Sequence, residues 1–291
     1  MRSMLMLRPR QTALMLSLLS LSAHTMAGEF TYSGFATVAV GKVIGGSNNA
    51  PLNTHFDCPC YIADYGQGAV YERQWSMGQE SKVGVQGTYK FTPTLSATGQ
   101  VVGRGVDGVK ADVEWAYLSY EASPNWTLQA GRKRLPMYFF SDFQDVGYAY
   151  NWVRPPIDLY GWEIVNYNGV NATYRGDWGG WSAKSNLFTG REDSKKNRYS
   201  KIYVDNAQDV TWKGIMGADL ELTRNWLTLR FNYITSKVQQ WDHTDGSRVT
   251  PDPSSDKTAE RQDIYGVAMN IDYNNWLIRS EYSVFDRSGY S

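Results

Sequence analysis

Hydrophobic and polar residues alternate along segments of about ten residues from Phe30 onwards. Between Lys82 and Phe91, for example, Val83 and Val85 alternate with polar side chains. A period of two places successive side chains on opposite faces of a β-strand. The pattern predicts eleven strands, at 30–42, 82–91, 95–101, 112–121, 126–134, 170–174, 181–187, 210–222, 227–233, 265–273 and 276–285.

The gaps between these segments are alternately very short and long. Short gaps predict tight hairpin turns at 92–94, 122–125, 177–180, 223–225 and 274–275. Tryptophan recurs beside four of them, as Trp126, Trp181, Trp226 and Trp276. An indole ring has an apolar body and a polar N–H, so it suits the level at which a membrane wall meets water. We interpret these residues as an aromatic girdle; the alternative is cross-strand aromatic packing in a soluble β-sandwich.

The composition agrees with a chain of twisted strands and gives no indication of a nucleic-acid partner. Aromatic residues make up 14% of the chain, more than a core alone usually requires. The 29 basic residues balance 29 acidic ones, so nothing indicates a nucleic-acid partner. Mean hydropathy is −0.47, and no long apolar run follows Ala27. Membrane β-barrels lack such runs because only every second residue faces lipid.

The first residues have the pattern of an export signal. Arg2, Arg8 and Arg10 precede an apolar run that ends at small residues near Ala27. We expect residues 1–27 to be a cleaved signal peptide and residues 28–291 to form one β-barrel domain. A membrane anchor helix is the weaker alternative, because the run is too short to cross the bilayer.

Two cysteines occur in the chain, Cys58 and Cys60, separated by one proline. In an exported protein they predict a local disulfide in a loop. A metal site with His55 is the alternative, but no fourth ligand is evident, so we predict neither a metal nor a cofactor.

With its signal-like start, tight turns and long loops, the chain resembles the general porin superfamily of Gram-negative outer membranes. The resemblance covers the whole mature chain and includes the sequence motifs at 115–120 and 130–136. In the second motif a strand enters a long loop through Gly131-Arg132. It implies an all-β, transmembrane, antiparallel up-and-down β-barrel of the 16-stranded type, with short periplasmic turns and long extracellular loops. It also implies a homotrimer, surrounded by outer-membrane lipid, through which small hydrophilic solutes or ions diffuse passively.

Eleven strands would leave such a barrel incomplete, because bacterial single-chain barrels have an even number. Porins also end in a terminal Phe or Trp, whereas this chain ends in Gly289-Tyr290-Ser291. We therefore expect a C-terminally truncated barrel.

In porins the third long loop folds inward and narrows the pore. By resemblance this loop, the longest connection, would be Met137–Tyr167. The candidate constriction residues are Arg132, Lys133, Arg134, Asp142, Asp145, Arg154, Asp158 and Glu163, although any of the acids could simply be solvated.

Alternation also predicts which charged side chains line the pore wall. The basic candidates are Lys82, Lys90, Lys184, Lys213, Arg230 and Arg279, facing the acidic Asp219, Glu221, Asp272 and Glu281. Their slight positive excess predicts a weak preference for anions.

Two other functional classes stay open. An outer-membrane enzyme would need a fixed catalytic set, but the mature histidines, His55 and His243, lie in predicted loops. The acidic pair Glu192-Asp193 likewise lies in a predicted charged loop, where we expect both side chains to be solvated. We therefore predict no enzyme activity. An exported β-rich module that binds carbohydrate through exposed tryptophans is the second alternative.

Overall fold

The computed structural model describes residues 28–46, 55–106, 108, 110–254 and 256–287. The predicted signal peptide, residues 1–27, and the end Gly289-Tyr290-Ser291 lie outside these residues.

The described residues are almost entirely β-strands joined by loops. The strands are β1 (Glu29–Thr37), β2 (Tyr61–Asp64), β3 (Ala69–Tyr71), β4 (Lys82–Lys90), β5 (Leu95–Arg104), β6 (Lys110–Glu121), β7 (Trp126–Arg134), β8 (Asn166–Trp178), β9 (Trp181–Asn197), β10 (Gln208–Arg224), β11 (Leu227–Asp242), β12 (Arg248–Thr250), β13 (Glu260–Tyr273) and β14 (Trp276–Arg287). Single 3₁₀ turns occur at Ser141–Phe143, Gly147–Ala149 and Tyr199–Ile202. No described helix is long and apolar enough to cross a membrane.

Eleven strands form one antiparallel sheet in the order β1-β4-β5-β6-β7-β8-β9-β10-β11-β13-β14, and β12 adds a twelfth strand beside β11. The short strands β2 and β3 form a separate hairpin. The eleven strands of the main path correspond to the eleven that alternation predicted, so the all-β, up-and-down architecture is confirmed. Among the described residues β1 pairs only with β4, and β14 only with β13, which leaves the sheet open.

Several strands are longer than predicted at the end that carries the long connections. Strand β9 continues to Asn197 instead of stopping at Leu187. After Phe188 its extension has no apolar side chain on either face, so it has no hydrophobic alternation, but the backbone ladder does not need one. The prediction that Glu192 and Asp193 lie in a loop is therefore wrong, because both belong to β9 and pair with β10.

The start of the sheet also departs from prediction. Strand β1 ends at Thr37 instead of Lys42, because the chain leaves the ladder and Ala39 N donates to Ser81 Oγ at 3.0 Å. The connection that follows, residues 38–81, is longer than the one at 135–165. The third long connection is thus not the longest, since the first contains the β2–β3 hairpin.

Tight turns close the hairpins at the opposite end of the sheet. Three of them have two residues, at Gly179-Gly180, Asn225-Trp226 and Asn274-Asn275. Two-residue hairpin turns need positive φ, which glycine and asparagine tolerate best. Accordingly Asn225 and Asn274 both have φ of 51°. Trp126, Trp181, Trp226 and Trp276 all lie at these turns or at the first residue of the following strand.

The two faces of the sheet differ sharply in polarity. One face carries exposed apolar side chains, which we call the outer belt: Val83, Val85, Val101, Leu118, Leu128, Val170, Leu187, Met216, Leu220, Phe231, Val267, Ile278 and Val284. The other face is polar, with side chains bonded across neighbouring strands. Asn186, for example, accepts from Asn171 at 3.0 Å and donates to Asp219 at 3.1 Å.

Residues 135–165, which we call the inner segment, lie against the polar face. Their apolar side chains form the main hydrophobic cluster together with residues of β10, β11 and β13. Tyr138, Trp212 and Ile234 are each at most 1% exposed in this cluster. The core of the molecule thus lies between the inner segment and the concave side of the sheet.

Candidate functional site

A closed ring of four buried charges ties the inner segment to three neighbouring strands. Arg104 of β5 donates to Asp145 at 2.6 Å and lies 2.7 Å from Glu114 of β6. Arg134 of β7 donates to Glu114 at 2.6 Å and to Asp145 at 2.9 Å. All four residues are 4–7% exposed. We call these residues the charge ring; Lys82 of β4 approaches Asp145 from outside it at 3.4 Å.

Asp145 is the member of the charge ring that the inner segment contributes. Burial opposes its negative charge, but the guanidiniums of Arg104 and Arg134 outweigh that effect and hold the pKa of Asp145 well below its usual range. The carboxylate is therefore ionised throughout the physiological pH range. A buried charge with complete partners fixes position, whereas one that loses a partner is strongly destabilising.

Hydrogen bonds attach the start of the inner segment to the opposite side of the sheet. Arg230 of β11 donates to the carbonyl oxygens of Tyr138 at 2.8 Å and of Pro136 at 3.1 Å. Asn232 on the same strand donates to Met137 O at 2.7 Å. Glu281 of β14 accepts from Phe139 N at 2.7 Å. Backbone groups of an irregular segment are thus satisfied by side chains of the wall.

Glu163 attaches the other end of the inner segment. Its carboxylate accepts from Trp212 Nε1 at 2.9 Å and from Gln240 Nε2 at 2.6 Å, and it also pairs with Arg287. The inner segment therefore crosses the concave side of the sheet and is fixed at both flanks, from β4–β7 to β10, β11 and β14.

Arg154 and the two remaining acids of the inner segment do not attach it to the strands of the sheet. Arg154 pairs with Glu80 and donates to Tyr61 Oη at 3.0 Å, which links the inner segment to the first long connection. Asp142 and Asp158 are exposed. Of the four acids named from the sequence, two anchor the segment and two face open space.

Two basic candidates lie on β7 beside the charge ring. Arg132 donates to both carboxylate oxygens of Glu192, at 2.7 and 2.8 Å. Lys133 donates to Asn171 Oδ1 at 3.2 Å. Glu192 is 6% exposed, so the expectation that it is solvated is wrong: the inward face of β9 buries it against Arg132.

The predicted wall residues separate into three groups. Lys82, Lys184, Arg230 and Arg279 lie on the inward face, and the guanidinium of Arg279 lies 5.2 Å from the ring of Phe140. Lys90 lies at the rim beside the short turns, where it donates to Glu29 at 2.9 Å. Lys213 is on the outward face, so its prediction as a wall residue is wrong.

A β-bulge explains the position of Lys213. The register of β10 with β11 shifts between Lys213 and Met216. An extra residue reverses the alternation, so the indole of Trp212 turns inward and Lys213 outward. Residues before and after the bulge therefore cannot be assigned to a face by one continuous period.

Sequence reasoning missed Arg104, Glu114 and Arg287. The register of β5 with β6 shifts between Gln100 and Val101, which brings Glu114 to the inward face although alternation from Leu118 would place it outward. Arg104 and Arg287 lie beyond the ends of the predicted strands. Both arginines could have been found by extending each predicted strand into the polar residues that follow it.

Cys58 and Cys60 are joined by a disulfide in the first long connection. The described residues contain no cluster of ligands that could hold a metal ion. His243 Nδ1 lies 2.8 Å from Asp209 Oδ1. No hydroxyl among the described residues hydrogen bonds to this ring.

No protein-family model matches the chain, and no curated protein matches its sequence. The chain is similar in structure to OmpT, an outer membrane protein of Vibrio cholerae in its trimer form, with 14% identity, a TM-score of 0.39, and 91% of this chain and 80% of that chain covered.

Two further solved structures are similar to the chain. The anion-selective porin from Comamonas acidovorans has 13% identity and a TM-score of 0.39, with 89% of this chain and 80% of that chain covered. OmpF of Salmonella typhi in complex with daunomycin has 9% identity and a TM-score of 0.26, with 89% and 97% covered. These values carry no functional argument, so function is inferred from the geometry of this chain.

Proposed function

We propose that this chain is an outer-membrane porin, a passive diffusion channel for small hydrophilic solutes or ions in which the inner segment narrows the lumen. The observation that supports the proposal is the reversal of polarity between the two faces of the sheet. A soluble sheet protein buries its apolar face, whereas here the apolar face is exposed and the polar face holds the core.

The outer belt supports a lipid environment. Each exposed Å² of apolar surface costs about 25 cal/mol in water, so a belt extending over eleven strands favours transfer to hydrocarbon. Aromatic rings occupy the short-turn edge of the belt: the ring centroids of Trp126 and Tyr174 are 5.2 Å apart, and those of Trp226 and Tyr273 are 5.8 Å apart. Such rings are typical of a membrane–water boundary.

The inner segment supports the constriction. Its anchors on both flanks hold it across the concave side of the sheet, apart from the solvent-exposed loops. In that position it would reduce the cross-sectional area of a lumen. Exposed Asp142 and Asp158 would then face passing solutes, opposite inward cations such as Lys184. Fixed charges in a narrow passage set ion preference, and homotrimer formation belongs to the same proposal.

Anion preference is the finer part of the proposal. Several wall cations have local partners: Lys82 approaches Asp145, and Arg230 contacts carbonyl oxygens of the inner segment. Lys213 no longer counts toward the wall. We therefore expect the preference to be slight, and a reversal potential in a salt gradient measures it; clear cation preference would refute this part.

Permeation tests the channel itself. The chain is refolded from denaturant into liposomes, and swelling is followed with uncharged solutes of increasing size. We expect swelling rates that fall steeply with solute size and do not saturate with concentration. A protein that enters the membrane but admits no solute would contradict the proposal. A protein that remains in buffer without detergent would instead favour the exported carbohydrate-binding alternative, and hydrolytic turnover would favour an enzyme.

A further inference from the structure

A cleft lies between the inner segment and the inward face of β13 and β14. Counted to its open mouth it has a volume of about 1010 Å³, which is at the upper end of the range for small-molecule sites. The inner segment lines one side with apolar residues, among them Phe140, Trp152 and Leu159. The strands line the other side with polar residues, among them Asn270 and Arg279. We call this space the β13–β14 cleft.

Arg279 of β14 is a cation of this cleft without an ionic partner. None of the described acidic side chains pairs with it, and none of its nitrogens has a hydrogen-bond acceptor among the described residues. Its Nε is fully buried, and its guanidinium lies 5.2 Å from the ring of Phe140. A guanidinium has five N–H donors, and donors left without acceptors cost free energy. Arg279 therefore offers unused donors and a positive charge to an anion.

Asn270 of β13 provides a second donor beside Arg279. The two residues are directly opposite each other in the ladder, and both side chains are on the inward face. Such pairs have Cβ atoms about 5 Å apart. No residue in the described part of the chain hydrogen bonds to the Asn270 amide. One oxygen of a carboxylate could thus accept from Arg279 and the other from Asn270.

The acids near the cleft limit the charge of its ligand. Glu281, two residues from Arg279, is occupied by the inner segment, because it accepts from Phe139 N at 2.7 Å and from Tyr160 Oη at 2.6 Å. Asp158 also lines the cleft, and its side chain is exposed. A second negative charge on a ligand would be repelled by Asp158. The cleft therefore suits a monoanion better than a dianion.

The apolar side of the cleft determines the rest of the ligand. Trp152 is 43% exposed, and its ring lies nearly perpendicular to that of Phe140, at 83° and 6.1 Å. An exposed indole ring can stack on a planar apolar body. Amines would be repelled by Arg279, and phosphate dianions by Asp158. A flat ring that carries a single carboxylate satisfies both sides of the cleft.

We propose that the β13–β14 cleft binds aromatic monocarboxylates, with Arg279 and Asn270 holding the carboxylate and Trp152 lying against the ring. This inference rests on the proposed function, because it names a class of solute that the channel would hold on its inner side. It goes beyond the slight anion preference of the whole wall, since total charge does not distinguish one anion from another.

The test is a ¹⁹F NMR titration of the refolded protein, in a non-ionic detergent, with 4-fluorobenzoate. Empty detergent micelles correct for partitioning of the probe. We expect saturable binding that weakens about tenfold in Arg279→Gln, because charge-assisted hydrogen bonds are lost, and less in Arg279→Lys, which keeps the charge. Native affinity in Arg279→Gln would overturn the proposal.

Asp158 gives a change in the opposite direction. Asp158→Asn should strengthen the binding of 4-fluorobenzoate about threefold, because it removes a repulsive charge at the partly exposed mouth. The dianion 5-fluoroisophthalate should bind the native chain more weakly than 4-fluorobenzoate, and the difference should shrink in Asp158→Asn. Equal affinity of the native chain for the two probes would overturn the assignment to monocarboxylates.

Matched controls separate a built site from general charge and from carboxylate binding alone. Arg224→Gln removes another arginine whose guanidinium faces an aromatic ring, that of Trp181 at 5.9 Å, but outside the cleft. It should leave the affinity for 4-fluorobenzoate unchanged, and a loss equal to that of Arg279→Gln would overturn the proposal. Fluoroacetate has the carboxylate without the ring. If it bound as tightly as 4-fluorobenzoate, the aromatic part of the proposal would be wrong.

Failure of this inference is distinguishable from failure of the proposed function. Liposome swelling with uncharged solutes reports the channel independently of Arg279. A chain that admits these solutes but does not bind 4-fluorobenzoate overturns the cleft site alone. A chain that binds the probe but admits no solute overturns the channel, while the cleft remains the ligand site of an exported protein. Circular dichroism checks that the variants keep their strands.

Discussion

Asp145 connects the irregular inner segment to the regular wall through two arginines. The sequence indicated that Asp145 is a candidate site residue, but it did not indicate which side chains Asp145 contacts. Arg134 was a candidate because it lies where β7 enters the third long loop, and Asp145 because it lies within that loop, but their partners, Arg104 and Glu114, come from different strands. Which side chains meet depends on bulges and on sheet curvature, and neither has a local sequence signal.

We predict that Asp145→Asn destabilises the protein by about 3–5 kcal/mol, because it leaves two buried guanidiniums sharing one carboxylate. Denaturant unfolding in detergent, followed by tryptophan fluorescence, measures the loss. Asp142→Asn is the matched control, since Asp142 is exposed and has no role in the charge ring. It should change stability by less than about 0.5 kcal/mol; equal effects of the two variants would contradict the charge ring.

The pH dependence of this contribution follows from the lowered pKa of Asp145. A group whose pKa is depressed in the folded state adds stability that is present above the unfolded pKa of about 3.9. That stability is lost progressively as the pH falls from the unfolded pKa towards the lower folded value. The stability difference between the native chain and Asp145→Asn should thus be constant from about pH 8 to about pH 5. A difference that shrinks within this range would contradict the assignment.

Elements were predicted better than residues. Alternation identified each strand of the main path, because its period of two survives wherever one face is apolar. It failed at the bulge of β10, where an extra residue reverses the alternation, and in the polar extension of β9, where neither face is apolar. The inner segment was expected between β7 and β8 from the absence of any period, but its attachments to β11 and β14 were not.

Turn chemistry gives a prediction at this scale. Asn274 has φ of 51°, a conformation that costs most residues about 1–2 kcal/mol. Asn274→Ala should lower the free energy of unfolding by about 1 kcal/mol, while Asn274→Gly should not lower it. Asn275→Ala, in the same turn, serves as the control and should have little effect. Equal losses for the two alanine variants would show that the turn does not depend on positive φ at Asn274.

The attachment of the inner segment to β11 gives a second prediction at the scale of elements. Arg230→Ala removes the donor that holds three carbonyl oxygens, those of Pro136, Tyr138 and Phe139. We expect the released segment to move, so that single-channel conductance rises and becomes noisier. Arg224→Ala removes the same charge at a short turn, where the side chain lies 5.9 Å from the ring of Trp181. If both variants gave the native conductance, the inner segment would not be the constriction.

At the scale of the whole molecule, two properties combine: a sheet whose apolar face points outward, and a concave polar side that encloses a folded segment. Neither property alone defines a channel, because soluble proteins also contain curved sheets. Together they leave water on the inside and lipid on the outside as the arrangement in which both faces are satisfied. The sequence predicted this division because alternation assigns faces without knowledge of the tertiary structure.

The central claim is that the two faces of the sheet meet lipid and water, and single-cysteine scanning from Phe231 to Val238 along β11 tests it most directly. Cys58 and Cys60 are replaced by serine, and each variant is labelled in liposomes with a nitroxide whose collisions with oxygen and with a polar nickel complex are measured. We predict a period of two, with Phe231, Tyr233 and Thr235 accessible to oxygen and Asn232, Ile234 and Ser236 shielded from it. Uniform accessibility along the strand, or access of the nickel complex to the outward positions, would contradict the claim.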